Sequence, residues 1–114
     1  MSDFNEKPIT AEVRALVHEI VDRAMSYNST STRQELTGNK PTFIVRFYSH
    51  VAILDVDIYP DGYKCEGTLE FFRVHLCEEV GYRTVDDIQN KLESVIKRME
   101  EAYDVWYEKE YTNE

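Results

Sequence analysis

The stretch Val51-Ala52-Ile53-Leu54-Asp55-Val56-Asp57-Ile58-Tyr59, closed by Pro60-Asp61-Gly62, decides the fold. Ala52, Leu54, Val56 and Ile58 recur at every second position, which is the side-chain period of a strand; a helix would scatter them around its circumference. The β-branched and aromatic composition agrees with that period. Tyr59-Pro60-Asp61-Gly62 then fits a type I turn with proline at its second position. One wholly apolar row demands a core beneath it, so this segment reads as the centre of an antiparallel meander.

Working outward, Thr42 to Tyr48 and Tyr63 to Leu76 supply the flanking strands, the latter interrupted near Gly67. The Ser49-His50 junction lacks the glycine or asparagine of the tightest hairpin turn. The same alternation puts Phe43, Val45, Phe47, Phe72, Val74 and Leu76 on the inner row. Ile44, Arg46, Tyr48, Leu69, Phe71, Arg73 and His75 fall with Val51 and Ile53 on the other row, beside Asp55, Asp57 and Tyr59. Two arrangements compete. Either a helix covers each face, or both helices share the inner face and the second remains an apolar and aromatic patch rimmed by charge. Charges under a helix are costly unless paired, so Arg46, Asp55 and Asp57 favour the exposed patch.

Two helices frame the sheet. Thr10 is placed to cap a helix through Tyr27, in which Val13, Leu16, Val17, Ile20, Val21 and Ala24 recur at spacings of three and four. A polar run follows, from Ser29 to Pro41, unusually long for a loop inside a small domain. Thr84 and Asp87 have capping-box spacing and open a second helix, over 85–108, with a stripe of Ile88, Leu92, Val95, Ile96, Met99, Tyr103 and Trp106. Such a helix measures about 36 Å, close to the diameter of the domain, so Trp106 and Tyr107 either close the core edge or reach past the sheet. The expected fold is α+β, ordered α-β-β-β-α: a three-stranded antiparallel meander packed by an N-terminal helix and a long C-terminal helix. The expected domain spans 10–108, with an extension at 1–9 and a tail at 109–114.

Composition bounds the rest. At 114 residues there is room for one core, and 42% hydrophobic residues can fill it despite 31% charge. Two cysteines, Cys65 and Cys77, exclude a disulfide scaffold and a four-thiolate metal site. The first residues carry no basic region followed by an apolar one, and no stretch approaches the length of a membrane span, so a cytoplasmic protein without membrane attachment is expected. Charge is uneven. Residues 1–54 hold six acids and six bases, whereas 55–114 hold sixteen acids against seven bases, so the net charge of −9 belongs to the second half. A surface of that sign repels nucleic acid phosphates and anionic lipid and attracts basic partners.

Candidate chemistry is sparse. Asp55 and Asp57 point the same way about 7 Å apart with Asp61 nearby, but a calcium loop needs oxygen ligands at alternate positions and a glycine at the sixth. His18-Glu19-Ile20-Val21-Asp22 lacks the second histidine that a zinc protease helix places one turn on. With no nucleophile elbow, no glycine-rich phosphate loop and four glycines in all, neither catalysis nor a cofactor is expected. The final helix carries Glu93, Glu100, Glu101, Asp104, Glu108 and Glu110 among Lys91, Lys97, Arg98 and Lys109. That row reads either as a solvated face laced with ion pairs or as carboxylates spaced to imitate phosphates.

This layout of an amphipathic helix, a meander centred on Val51 to Gly62 and a long acidic helix resembles accessory proteins of phages and mobile elements. It is similar to some anti-CRISPR and anti-restriction inhibitors. The resemblance covers residues 10–108 and rests on no diagnostic motif, so no family residue transfers. It implies a stoichiometric inhibitor whose acidic surface occupies the nucleic acid groove of a host enzyme. The expected function is a non-catalytic acidic protein-binding module that meets a basic protein, such as a nucleic-acid-binding enzyme. The competing expectation is a self-assembling structural or adaptor subunit acting as a homodimer. The residues assigned to the contact are Tyr48, Asp55, Asp57, Tyr59, Asp61, Phe71, Glu100, Glu101 and Asp104.

Overall fold

The computed structural model describes residues 8–27, 41–60 and 69–111. Its elements are α1 (Ala11–Tyr27), β1 (Thr42–Tyr48), β2 (Ile53–Tyr59), β3 (Glu70–His75) and α2 (Val85–Tyr111). The strands form one antiparallel sheet in the order β1-β2-β3, so the chain has the α+β layout that alternation and helical spacing indicate. Register places Val45 opposite Val56, and Val56 opposite Phe72.

Local chemistry explains where the elements begin. At α1 the Thr10 Oγ1 accepts a hydrogen bond from the Val13 amide at 3.2 Å, satisfying one of the amides a helix start leaves without a partner. At α2 the box closes in both directions: the Thr84 amide donates to the Asp87 carboxylate at 3.0 Å, and the Asp87 amide donates to Thr84 Oγ1 at 3.1 Å. α2 continues three residues beyond 108, because Glu108 to Tyr111 holds neither glycine nor proline to stop it.

β2 starts at Ile53, two residues later than the alternation suggests. Lacking Asn-Gly chemistry at Ser49-His50, the chain turns over the four residues 49–52, and Ala52 adopts a left-handed φ of 52°. The Ala52 carbonyl in turn accepts from the Leu76 amide at 2.9 Å, joining this turn to the end of β3. β3 starts at Glu70; the expected turn at Asp61-Gly62, Cys65 and the break at Gly67 lie outside the described residues, as does the polar run 28–40.

Both helices pack on one face. The apolar core joins Leu54, Val56 and Ile58 of the sheet to Val13 and Ile20 of α1 and to Leu92, Val95 and Met99 of α2. Each fully buried aliphatic side chain here contributes roughly 1.5–3 kcal/mol of transfer free energy. Polar clamps hold the layers in place: Arg98 of α2 forks onto Glu70 of β3 with both contacts at 2.6 Å, and Arg23 of α1 bonds Glu100 of α2. At one end Tyr27 stacks on Tyr103 with ring centres 4.4 Å apart and tilts against Phe43, while Trp106 leans on Tyr103. Trp106 is half-buried there between the Tyr103 and Tyr107 rings, and Tyr107 is exposed. Phe47, inward by alternation, is nevertheless 51% exposed, because it stands on the edge strand beside a gap between α1 and the sheet.

Candidate functional site

The face of the sheet turned away from the helices carries the charged residues of all three strands. Arg46, Asp55 and Arg73 lie directly opposite one another across β1, β2 and β3. Arg73 forks onto Asp55 through Nε at 2.8 Å and a terminal nitrogen at 2.9 Å. Arg46 instead reaches the diagonal neighbour, donating to both Asp57 oxygens at 2.8 and 3.2 Å, and passes 4.0 Å from Asp55. Planar forks of this kind are the strongest side-chain hydrogen bonds available to a carboxylate.

Both carboxylates that the sequence assigns to contact with a basic partner are thus engaged by arginines of this chain. Asp55 is 1% and Asp57 6% exposed although no described element lies over them. The two arginine side chains close over the carboxylates, and their guanidinium groups take the outer positions. The Arg73 hydrogen bonds hold the Asp55 carboxyl below its usual range, outweighing the burial that pushes it up. What the face presents outward is therefore guanidinium edge and aromatic ring, with its charges already balanced.

Around the ladder the surface is apolar. Phe71, opposite Asp57, is 50% exposed, with the Arg73 guanidinium 5.6 Å from its ring centre. Leu69 and Val51, in the segments flanking the face, are 48% and 45% exposed. Ile44, Ile53, Tyr48 and Tyr59 are half-buried on β1 and β2, and Tyr48 meets the His50 ring edge-on at 6.5 Å.

The other residues assigned to the contact lie elsewhere. Glu100 is bonded to Arg23, and Glu101 lies 3.9 Å from Arg98. Asp104 is exposed on α2. All three sit in the helix layer, so the sheet separates them from Asp55, Asp57 and Phe71, and the two groups form no common surface. Asp61 lies outside the described residues. Arg46 and Arg73 are the members of the site that sequence reasoning left out. The signal was present, since both share the row of Asp55, but pairing them needs the register, and the register depends on the length of the turn at residues 49–52.

Among the described residues no three histidine, cysteine, aspartate or glutamate side chains converge as a metal site. Nor is any helix among them long and apolar enough to cross a membrane. Comparison with protein-family models, with curated proteins and with solved structures finds no match.

Proposed function

We propose that this chain is a non-catalytic acidic protein-binding module that attracts a basic partner through its net charge and docks an apolar patch of that partner on the open face of its sheet. The observation that carries the reading is Phe71 standing half-exposed on a sheet face that no described element covers, beside a charge ladder that is already neutral. Apolar and aromatic area around desolvated, internally satisfied charge is the composition of an interface centre. The net charge of −9 acts at longer range, steering a cationic protein toward the molecule. Glu101 and Asp104 belong to that steering field rather than to the contact. A role as an inhibitor that imitates nucleic acid is the narrower form of the same reading, with a nucleic-acid-binding enzyme as the basic partner.

The test couples capture to salt and to one substitution. The chain is expected to retain a basic protein whose association slows as salt rises, and Phe71→Asp is expected to weaken it about tenfold without lowering the melting temperature. A partner that is acidic, insensitive to salt, or held equally by Phe71→Asp overturns the proposal. The exposed Phe71 also supports a second reading, a homodimer through the same face. Sedimentation of the pure chain separates the two: a stable dimer that Phe71→Asp dissolves assigns the face to self-assembly.

A further inference from the structure

The helix layer holds a separate feature. Between α1 and the sheet lies a cavity of about 680 Å³ whose sheet residues, Val45, Phe47 and Leu54, belong to the row opposite the charge ladder. Val17 and Val21 of α1 form its second wall, and its floor reaches the buried core at Leu54 and Leu76. Cavities of about 300–1,000 Å³ with apolar walls and few polar groups are the usual form of small-molecule sites.

Two polar side chains line it as well, Arg14 and His18. With Val17 and Val21 they occupy positions i, i+3, i+4 and i+7 of α1, so a single helix stripe presents cation and apolar wall together. No carboxylate lines the cavity among the described residues, and neither Arg14 nor His18 has an ion pair or hydrogen bond there. Every other arginine of the described residues is engaged: Arg23, Arg46, Arg73, Arg83 and Arg98 all bond carboxylates or a backbone carbonyl.

We infer that this cavity binds a small amphiphilic carboxylate. The apolar tail lies between the α1 wall and β1, where Phe47 and Val21 stand 51% and 38% exposed and would lose that area to the tail. The carboxylate meets the Arg14 guanidinium, whose fork matches it, and the His18 ring one turn along. An uncharged head leaves the guanidinium without a partner, and a cationic head is repelled by it. The site is independent of the open sheet face, so either assignment stands or falls without the other.

The probe is decanoate, titrated into the full chain below its micelle concentration and followed by amide chemical shifts. Saturable shifts are expected at Val17, Val21, Val45 and Phe47, with none at Asp57 or Phe71. Arg14→Gln is expected to weaken decanoate about tenfold and leave decanol unchanged. Val21→Trp, at a position partly open to solvent, is expected to abolish uptake of both without unfolding the chain. Decanol binding as tightly as decanoate to the unaltered chain, or Arg14→Gln without effect on decanoate, overturns the carboxylate assignment. Absence of saturable shifts at the cavity, or proton contacts from Phe4 to Val21 that decanoate does not displace, overturns the site itself.

Discussion

β2 is buried on both sides, and the two sides are dry for opposite reasons. Leu54, Val56 and Ile58 are inaccessible because two helices lie over them; Asp55 and Asp57 are nearly as inaccessible with no described element above. On the first side the driving force is removal of apolar area from water, which does not titrate with pH and is not weakened by charge screening. On the second it is desolvation compensated by guanidinium forks, an arrangement in which removing one partner is worse than removing both. Burial of a strand residue therefore does not by itself tell which face carries the core, and a carboxylate on an open face need not be available to a partner.

The sharpest way to break this contrast is in the core row. Ile58→Ala should destabilise the chain by about 3 kcal/mol, read by denaturant unfolding, because the void left in the helix-covered core row cannot collapse. A loss as small as that of an exposed position would mean that the helices do not clamp β2. Next in size is the charged row. Asp55→Asn should lower stability by about 2 kcal/mol by loosening a charge-assisted fork. Arg73→Asp should be worse still, since it sets like charges together, and the double reversal Asp55→Arg with Arg73→Asp should recover part of the loss. No recovery would show that the pair is not what satisfies the buried carboxylate.

Acid separates the faces without any change of packing. The Asp55 carboxyl is held below its usual range by Arg73, so its folded value lies under its unfolded one. Its stabilising contribution is therefore complete above the ordinary carboxylate range of about 4 and disappears as pH falls through the lower folded value. Asp87, held down by its hydrogen bonds from Thr84, acts in the same direction. The unfolding free energy of Asp55→Asn should thus fall less steeply with acid than that of the unaltered chain, and parallel curves would count against the pairing. The smallest effect is expected at the turn. Ala52→Gly relieves a left-handed φ at the expense of a half-buried methyl group, and should raise stability by about 0.5 kcal/mol or less in thermal melts. A clear loss would show that the methyl packs against the core more than the backbone is strained.

Sequence patterns reached the elements more readily than their pairing. Thr10 and Thr84 announce their helices because capping is a matter of three neighbouring residues. β1 runs over the residues its composition marks, Thr42 to Tyr48. Asp55, by contrast, shows its row in the alternation but not its partners. Its partners come from strands 9 residues before it and 18 after it, and which arginine meets it depends on how many residues the turn at 49–52 consumes. The gap that exposes Phe47 likewise escapes a pattern argument, since alternation assigns a face but not whether a helix reaches over it.

The amino-acid order alone determined the periods: two for the strands, three to four for the helices, with caps and turns at their ends and a negative charge concentrated in the second half. These follow from interactions between near neighbours and from composition. Which face both helices would share, whether Asp55 and Asp57 would look outward or be closed over by Arg46 and Arg73, and where an unfilled space would remain beside α1 were decided only when distant segments packed. Burial and ion pairing are properties of what lies across a gap in space, and the chain's order fixes that neighbour only through the register of the whole sheet.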